Sequence, residues 1–168
     1  MPLVVLLAAS LGGTSPTKPP ASGWWWGVLL LLVPLLLAAA LEEIGWTAWL
    51  LPRLRLTWGR APAGLLIGLT WGVWHAIPYL QAGNAVDWVA GQVLFSTVFR
   101  LLIVEAIAGA TAPLLGAVLM HASYNLAWQG LLSAGGTYSP WATTGVAVVA
   151  LMVLLGLRYG RRRFECRG

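Results

Sequence analysis

Two adjacent glutamates, Glu42 and Glu43, lie in an apolar run that begins at Trp24 and continues to Leu51. A carboxylate at the centre of a membrane helix costs about 2.5–3.5 kcal/mol on insertion scales, so an acid kept there is expected to have a partner or a task. His75, His121 and Asn125 lie in equally apolar surroundings. A buried carboxylate can serve as a general base toward water. His121 and Asn125 stand four apart on one helix face, and both can donate toward a developing oxyanion. Glu42 and Glu43 point about 100° apart on a helix. One is therefore expected at the reacting centre and the other in support, bonded to a neighbouring helix. Glu42, His75 and His121 are also types that hold zinc with water as the fourth ligand. They come from three separate stretches, with no His-Glu-x-x-His pair to pre-form a centre. Zinc chemistry and metal-free glutamate chemistry both remain open on residue type, with the metal-free reading preferred.

Such groups need helices to bring them together, and composition says which kind. Of the 168 residues, 59% are hydrophobic and 9% charged, with a mean hydropathy of +0.79. Soluble domains carry about 25% charged residues. The expected fold is an all-α, polytopic transmembrane helical bundle. Its apolar stretches fall at 24–51, 61–80, 88–108, 112–132 and 141–157, giving about five spanning helices of the length hydrocarbon requires. Residues 3–9 form a shorter apolar piece without a basic flank, so a truncated N-terminal helix is expected there rather than a signal peptide. The organisation reads as a partial apolar segment and loop (1–23), a transmembrane domain (24–158) and a basic tail (159–168).

The net charge of +5 concentrates at 53–60 and 158–167, as expected of cytoplasmic flanks rather than a nucleic-acid surface. With 52–60 as a cytoplasmic loop, the connections near 81–87 and 133–140 face out and the C-terminus is cytoplasmic. Counted from these cytoplasmic ends, Glu42, His75 and His121 sit roughly 13–21 Å deep, which predicts one shared polar cavity, open to the cytoplasm. Arg100 and Glu105 are about 140° apart on their helix. They do not pair directly and read as packing or topology features. Gly64, Gly68 and Gly72 are expected to allow close helix contact. The single cysteine, Cys166, can form no internal disulfide, and it is not fourth from the end, as a prenylation box requires.

At these residues the chain resembles the CPBP intramembrane proteases, which include type II CAAX prenyl endopeptidases and bacterial relatives linked to bacteriocin processing or immunity. Glu42-Glu-Ile-Gly-Trp-Thr-Ala-Trp-Leu-Leu-Pro-Arg-Leu54 is similar to the family's first motif. Trp71 to His75 resembles its second, an aromatic residue four before histidine, and His121-Ala-Ser-Tyr-Asn125 its third. The similarity spans about residues 30–130. It implies that Glu42 and His75 activate a water, that His121 and Asn125 hold the oxyanion, and that Glu43 assists from behind. It also implies a peptide or protein substrate, lipidated in CAAX-type processing, met within the bilayer. The resemblance leaves the metal open, because members are labelled metalloproteases while a metal-free glutamate mechanism has also been proposed. Thr47 stands where family members usually carry arginine.

Two other readings use the same groups differently. A membrane immunity or scaffold protein would bind a peptide without cutting it. A proton-coupled transporter would use the buried acid and imidazoles as a relay, although the chain has no internal repeat of the kind many transporters show.

Overall fold

The computed structural model describes residues 24–133 and 135–165, and all regular structure among them is helical. The expectations for 1–23 and for Cys166 fall outside the described residues. Helix α1 (Trp24–Glu43) passes through a π-helical turn (Ile44–Leu50) into α2 (Leu51–Trp58). Together they make one continuous rod, with a candidate span over Trp26–Trp58. The expected loop at 52–60 is thus largely helical, and the chain breaks only at Gly59, whose φ of 79° suits glycine. Proline lacks an N–H and its ring crowds the carbonyl four residues back, which normally kinks or ends a helix. Here the turn before Pro52 is widened, with the Leu51 N–H bonded to the Trp46 carbonyl five residues earlier. An inserted π turn of this kind absorbs the misfit and re-aims the residues beside it.

Helices α3 (Arg60–Gln81), α4 (Val86–Ala106), α5 (Pro113–Ser133) and α6 (Pro140–Glu165) complete the bundle. Among the described residues, four helices are long and apolar enough to cross a membrane: the α1–α2 rod, α3, α4 and α6. The fifth expected span, α5, has 21 residues but carries His121, Asn125 and Gln129. Its apolarity is given up to the polar groups it supplies.

Burial is the reverse of a water-soluble core. Leu30, Leu41 and Leu56 are 76%, 73% and 84% exposed, while Glu43, Gln92, Arg100 and His121 are at most 2% exposed. In hydrocarbon, apolar side chains need no cover, whereas every polar group must find an internal partner. Packing of α3 on α4 rests on the glycines of α3. A Cβ on Gly68 would lie 2.8 Å from the Thr97 Cα and 2.8 Å from the Arg100 Cβ, and one on Gly72 2.9 Å from the Val93 carbonyl oxygen. This close approach carries Arg100 into the middle of the bundle. Helix α4 also packs on α6, and α1 on α5.

The arginines gather at one end. Glu105, at the end of α4, accepts from Arg158 of α6 at 3.1 Å and lies 3.7 Å from Arg60 at the start of α3. As expected, Arg100 and Glu105 do not pair with each other.

Candidate active site

The two neighbouring glutamates part company. Glu42 is half-buried and lines a cavity of about 240 Å³ with His75, Gln92, His121, Asn125 and Gln129. Glu43 is fully buried and lies outside that lining. The 100° step between helical neighbours therefore separates them as expected. Glu42, His75, His121 and Asn125 do share one cavity, and Glu43 stands behind it.

Trp71 organises the cavity wall. Its indole N–H donates to Glu42 Oε2 at 2.7 Å. Its backbone carbonyl accepts from His75 Nδ1 at 2.9 Å. A carbonyl can only accept, so His75 carries its hydrogen on Nδ1 and keeps the Nε2 lone pair free. The Trp71 ring meets the His121 ring edge-on with centroids 4.9 Å apart, and the Arg100 guanidinium lies 4.8 Å from its centroid. Trp71 thus joins four polar groups, which its place four residues before His75 does not reveal.

Glu43 is held by three elements. Arg100 of α4 donates to both its oxygens, Nη1 to Oε2 at 2.7 Å and Nη2 to Oε1 at 2.9 Å. Thr47 donates to Oε2 at 2.6 Å. His121 Nδ1 meets Oε1 at 3.0 Å. The Arg100 Nε has no hydrogen-bond partner. The reading of Arg100 as a packing or topology feature is corrected here, because it is the largest fully buried side chain and forms the ion pair beside the cavity. Thr47, where the motif led one to expect arginine, donates to Glu43, and the guanidinium beside that carboxylate comes from Arg100 on a different helix. A signal for this existed in the sequence. A buried arginine requires a buried acid, and Glu43 was the acid left without a place at the cavity.

The expectation that His121 and Asn125 donate together needs refining. The His121 Nδ1 is committed to Glu43, so only Nε2 remains to face the cavity that both residues line.

Gln92 was not singled out from sequence, yet it completes a second polar knot. Its Nε2 donates to the Tyr124 hydroxyl at 3.0 Å, and the Tyr138 hydroxyl donates to its Oε1 at 2.9 Å. The two tyrosine hydroxyls lie 2.9 Å apart and close the ring. Burial pushes the Tyr138 hydroxyl well above the ordinary tyrosine range, which keeps it a donor. Next to this knot is a pocket of about 470 Å³ lined by Tyr79, Trp88, Trp128 and Tyr138, which shares Tyr79 and Trp128 with the cavity.

The lining of the cavity continues along the helices. Tyr79, Gln92, Trp128 and Gln129 extend it toward the connections at 82–85 and 134–139. The arginine end lies on the other side of the Glu43–Arg100 pair, where Thr47, Arg55 and Arg60 line a separate pocket of about 670 Å³.

Among the described residues, no three of His, Cys, Asp and Glu group closely enough to hold a metal ion. Glu42, His75 and His121 share a cavity but, as arranged, do not fit a zinc centre.

No curated protein and no solved structure shows significant similarity to the chain. A family model described as Type II CAAX prenyl endopeptidase Rce1-like matches residues 24–127, more than half of the chain, a stretch that includes Glu42, His75, His121 and Asn125. With its helical bundle, its membrane-crossing helices and that match, the chain belongs to the Rce1-like type II CAAX prenyl endopeptidase family, whose membership implies an integral membrane protease acting on a peptide or protein.

Proposed function

We propose that the chain is an intramembrane endopeptidase that hydrolyses a peptide bond with a water activated by Glu42 and His75. It would act in CAAX-type processing or related peptide maturation. The observation that carries this reading is the polar cavity itself: a carboxylate, two imidazoles and a carboxamide face one small space inside an apolar bundle.

A water bound in the cavity donates to Glu42 and to the free Nε2 of His75. Trp71 steadies both partners, through its indole N–H and its carbonyl. As the water oxygen attacks the peptide carbonyl carbon, one water proton passes to the Glu42 carboxylate and the carbonyl oxygen becomes an oxyanion. Asn125 donates to that oxyanion through its side-chain amide. His121 offers only Nε2 to the cavity, because Nδ1 is engaged by Glu43, and it donates to the oxyanion from that nitrogen only once Nε2 holds a proton. Glu42 then returns the proton to the amide nitrogen. The C–N bond breaks, leaving a carboxylic acid and an amine. The low-dielectric cavity strengthens each of these interactions relative to water.

The adjoining aromatic pocket offers room for the substrate's apolar part, and a lipidated peptide is the substrate class that suits an active site set among membrane helices. The test is cleavage of a panel of lipidated and unlipidated peptides by purified protein in lipid nanodiscs, with Glu42→Ala as the control. Cleavage that survives Glu42→Ala removes the assignment of the base.

A further inference from the structure

We propose that Arg100, with Glu43 and Thr47, is the positioning device that fixes the tautomer of His121 and so decides which ring nitrogen enters the cavity. This inference rests on the catalytic reading above and names a residue that the glutamate and histidine motifs do not contain.

The argument follows the hydrogens. An ionised carboxylate accepts and cannot donate. Arg100 donates two hydrogens to Glu43, one to each oxygen, and Thr47 adds a third. Held by this fork, Glu43 stays an acceptor, and its Oε1 faces His121 Nδ1 at 3.0 Å. His121 must then carry a hydrogen on Nδ1. In the neutral ring the lone pair is on Nε2, the atom left to the cavity. The ring enters the reaction as a proton acceptor at Nε2, and donates from that nitrogen only after taking a second proton. A protonated carboxyl at Glu43, or an amide in its place, could donate as well as accept and would leave the tautomer unset. Arg100 removes that choice.

Charge balance makes the same point. Glu43 and Arg100 are 0% exposed, and together they are neutral. Without the guanidinium, the buried carboxylate would be left with Thr47 and His121 as its hydrogen-bond partners. Arg100 is itself pinned, with the glycine face of α3 at its back and the Trp71 ring beside its guanidinium. Thr47 bridges the pair, accepting from Arg100 Nη1 at 3.4 Å while donating to Glu43.

The test uses the fact that the chain has only two histidines. Full-length protein labelled with ¹⁵N-histidine, in lipid nanodiscs, yields two imidazole patterns, assigned with His75→Gln. The expected His121 pattern is a single Nδ1–H tautomer. In Arg100→Met it leaves that state, and peptide cleavage falls about 100-fold, as misplacement of a reacting group can cause. The fall lies in kcat rather than KM, and Arg100→Lys restores part of it. Should Arg100→Met fail to fold, the double variant Glu43→Gln with Arg100→Met removes both charges together, a change that buried pairs often tolerate. Its amide is expected to leave His121 as a mixture of tautomers. An unchanged Nδ1–H pattern in either variant overturns the proposal. The imidazole spectrum reports the tautomer whether or not a peptide is cut, so loss of the protease reading and loss of this inference are separate results.

Discussion

Glu42 and Glu43 are chemically identical, adjacent in sequence, and differ in almost everything their surroundings determine. Glu42 accepts a hydrogen bond from Trp71 and looks into a cavity. Glu43 takes three donors besides the His121 contact and is sealed off. A carboxylate with spare acceptor capacity beside a space for water is available for proton transfer. One whose lone pairs are all engaged is a structural anchor that transmits orientation instead. The helix supplies this division of labour through its 100° step, and the neighbouring helices determine which glutamate gets which role.

The comparison can be broken from either side. The largest effect is expected on the cavity side: His75→Ala should lower peptide cleavage by about 10²–10⁴-fold, the usual contribution of a general acid–base partner, with little change in the unfolding midpoint in detergent. On the sealed side, Arg100→Met takes the guanidinium away from the buried Glu43. It should cost about 3–5 kcal/mol of stability, read from denaturant or SDS unfolding. Gly68→Ala tests whether close packing of α3 on α4 is what delivers Arg100. The added methyl would meet backbone at 2.8 Å, and overpacking of this kind costs about 1–3 kcal/mol. At the small end, Arg53→Ala removes an exposed guanidinium stacked 4.3 Å from the Trp49 ring. It should shift stability by about 0.5 kcal/mol or less and leave cleavage unchanged.

The sequence revealed one half of the molecule better than the other. Apolar run lengths marked the helices, and shared depth brought Glu42, His75, His121 and Asn125 to one cavity, because each of those inferences uses only local spacing. Arg100 escaped because its partner is 57 residues away on another helix, and pairing across helices has no local spacing rule. The helical passage through 52–58 escaped for a different reason. Pro52 and the surrounding arginines have loop composition, while the π turn that lets the helix continue is a response of the folded backbone. Gln92 and its tyrosines were hidden because one glutamine among apolar residues gives no clue that two hydroxyls await it.

The central claim is that the first glutamate does the chemistry and the second holds the architecture. Its most direct test compares Glu42→Gln and Glu43→Gln in nanodiscs, with cleavage and unfolding measured on the same samples. The account predicts that Glu42→Gln loses at least about 100-fold in cleavage while unfolding as the native protein does, and that Glu43→Gln lowers the unfolding midpoint. A Glu42→Gln protein that cuts peptide at the native rate would contradict it.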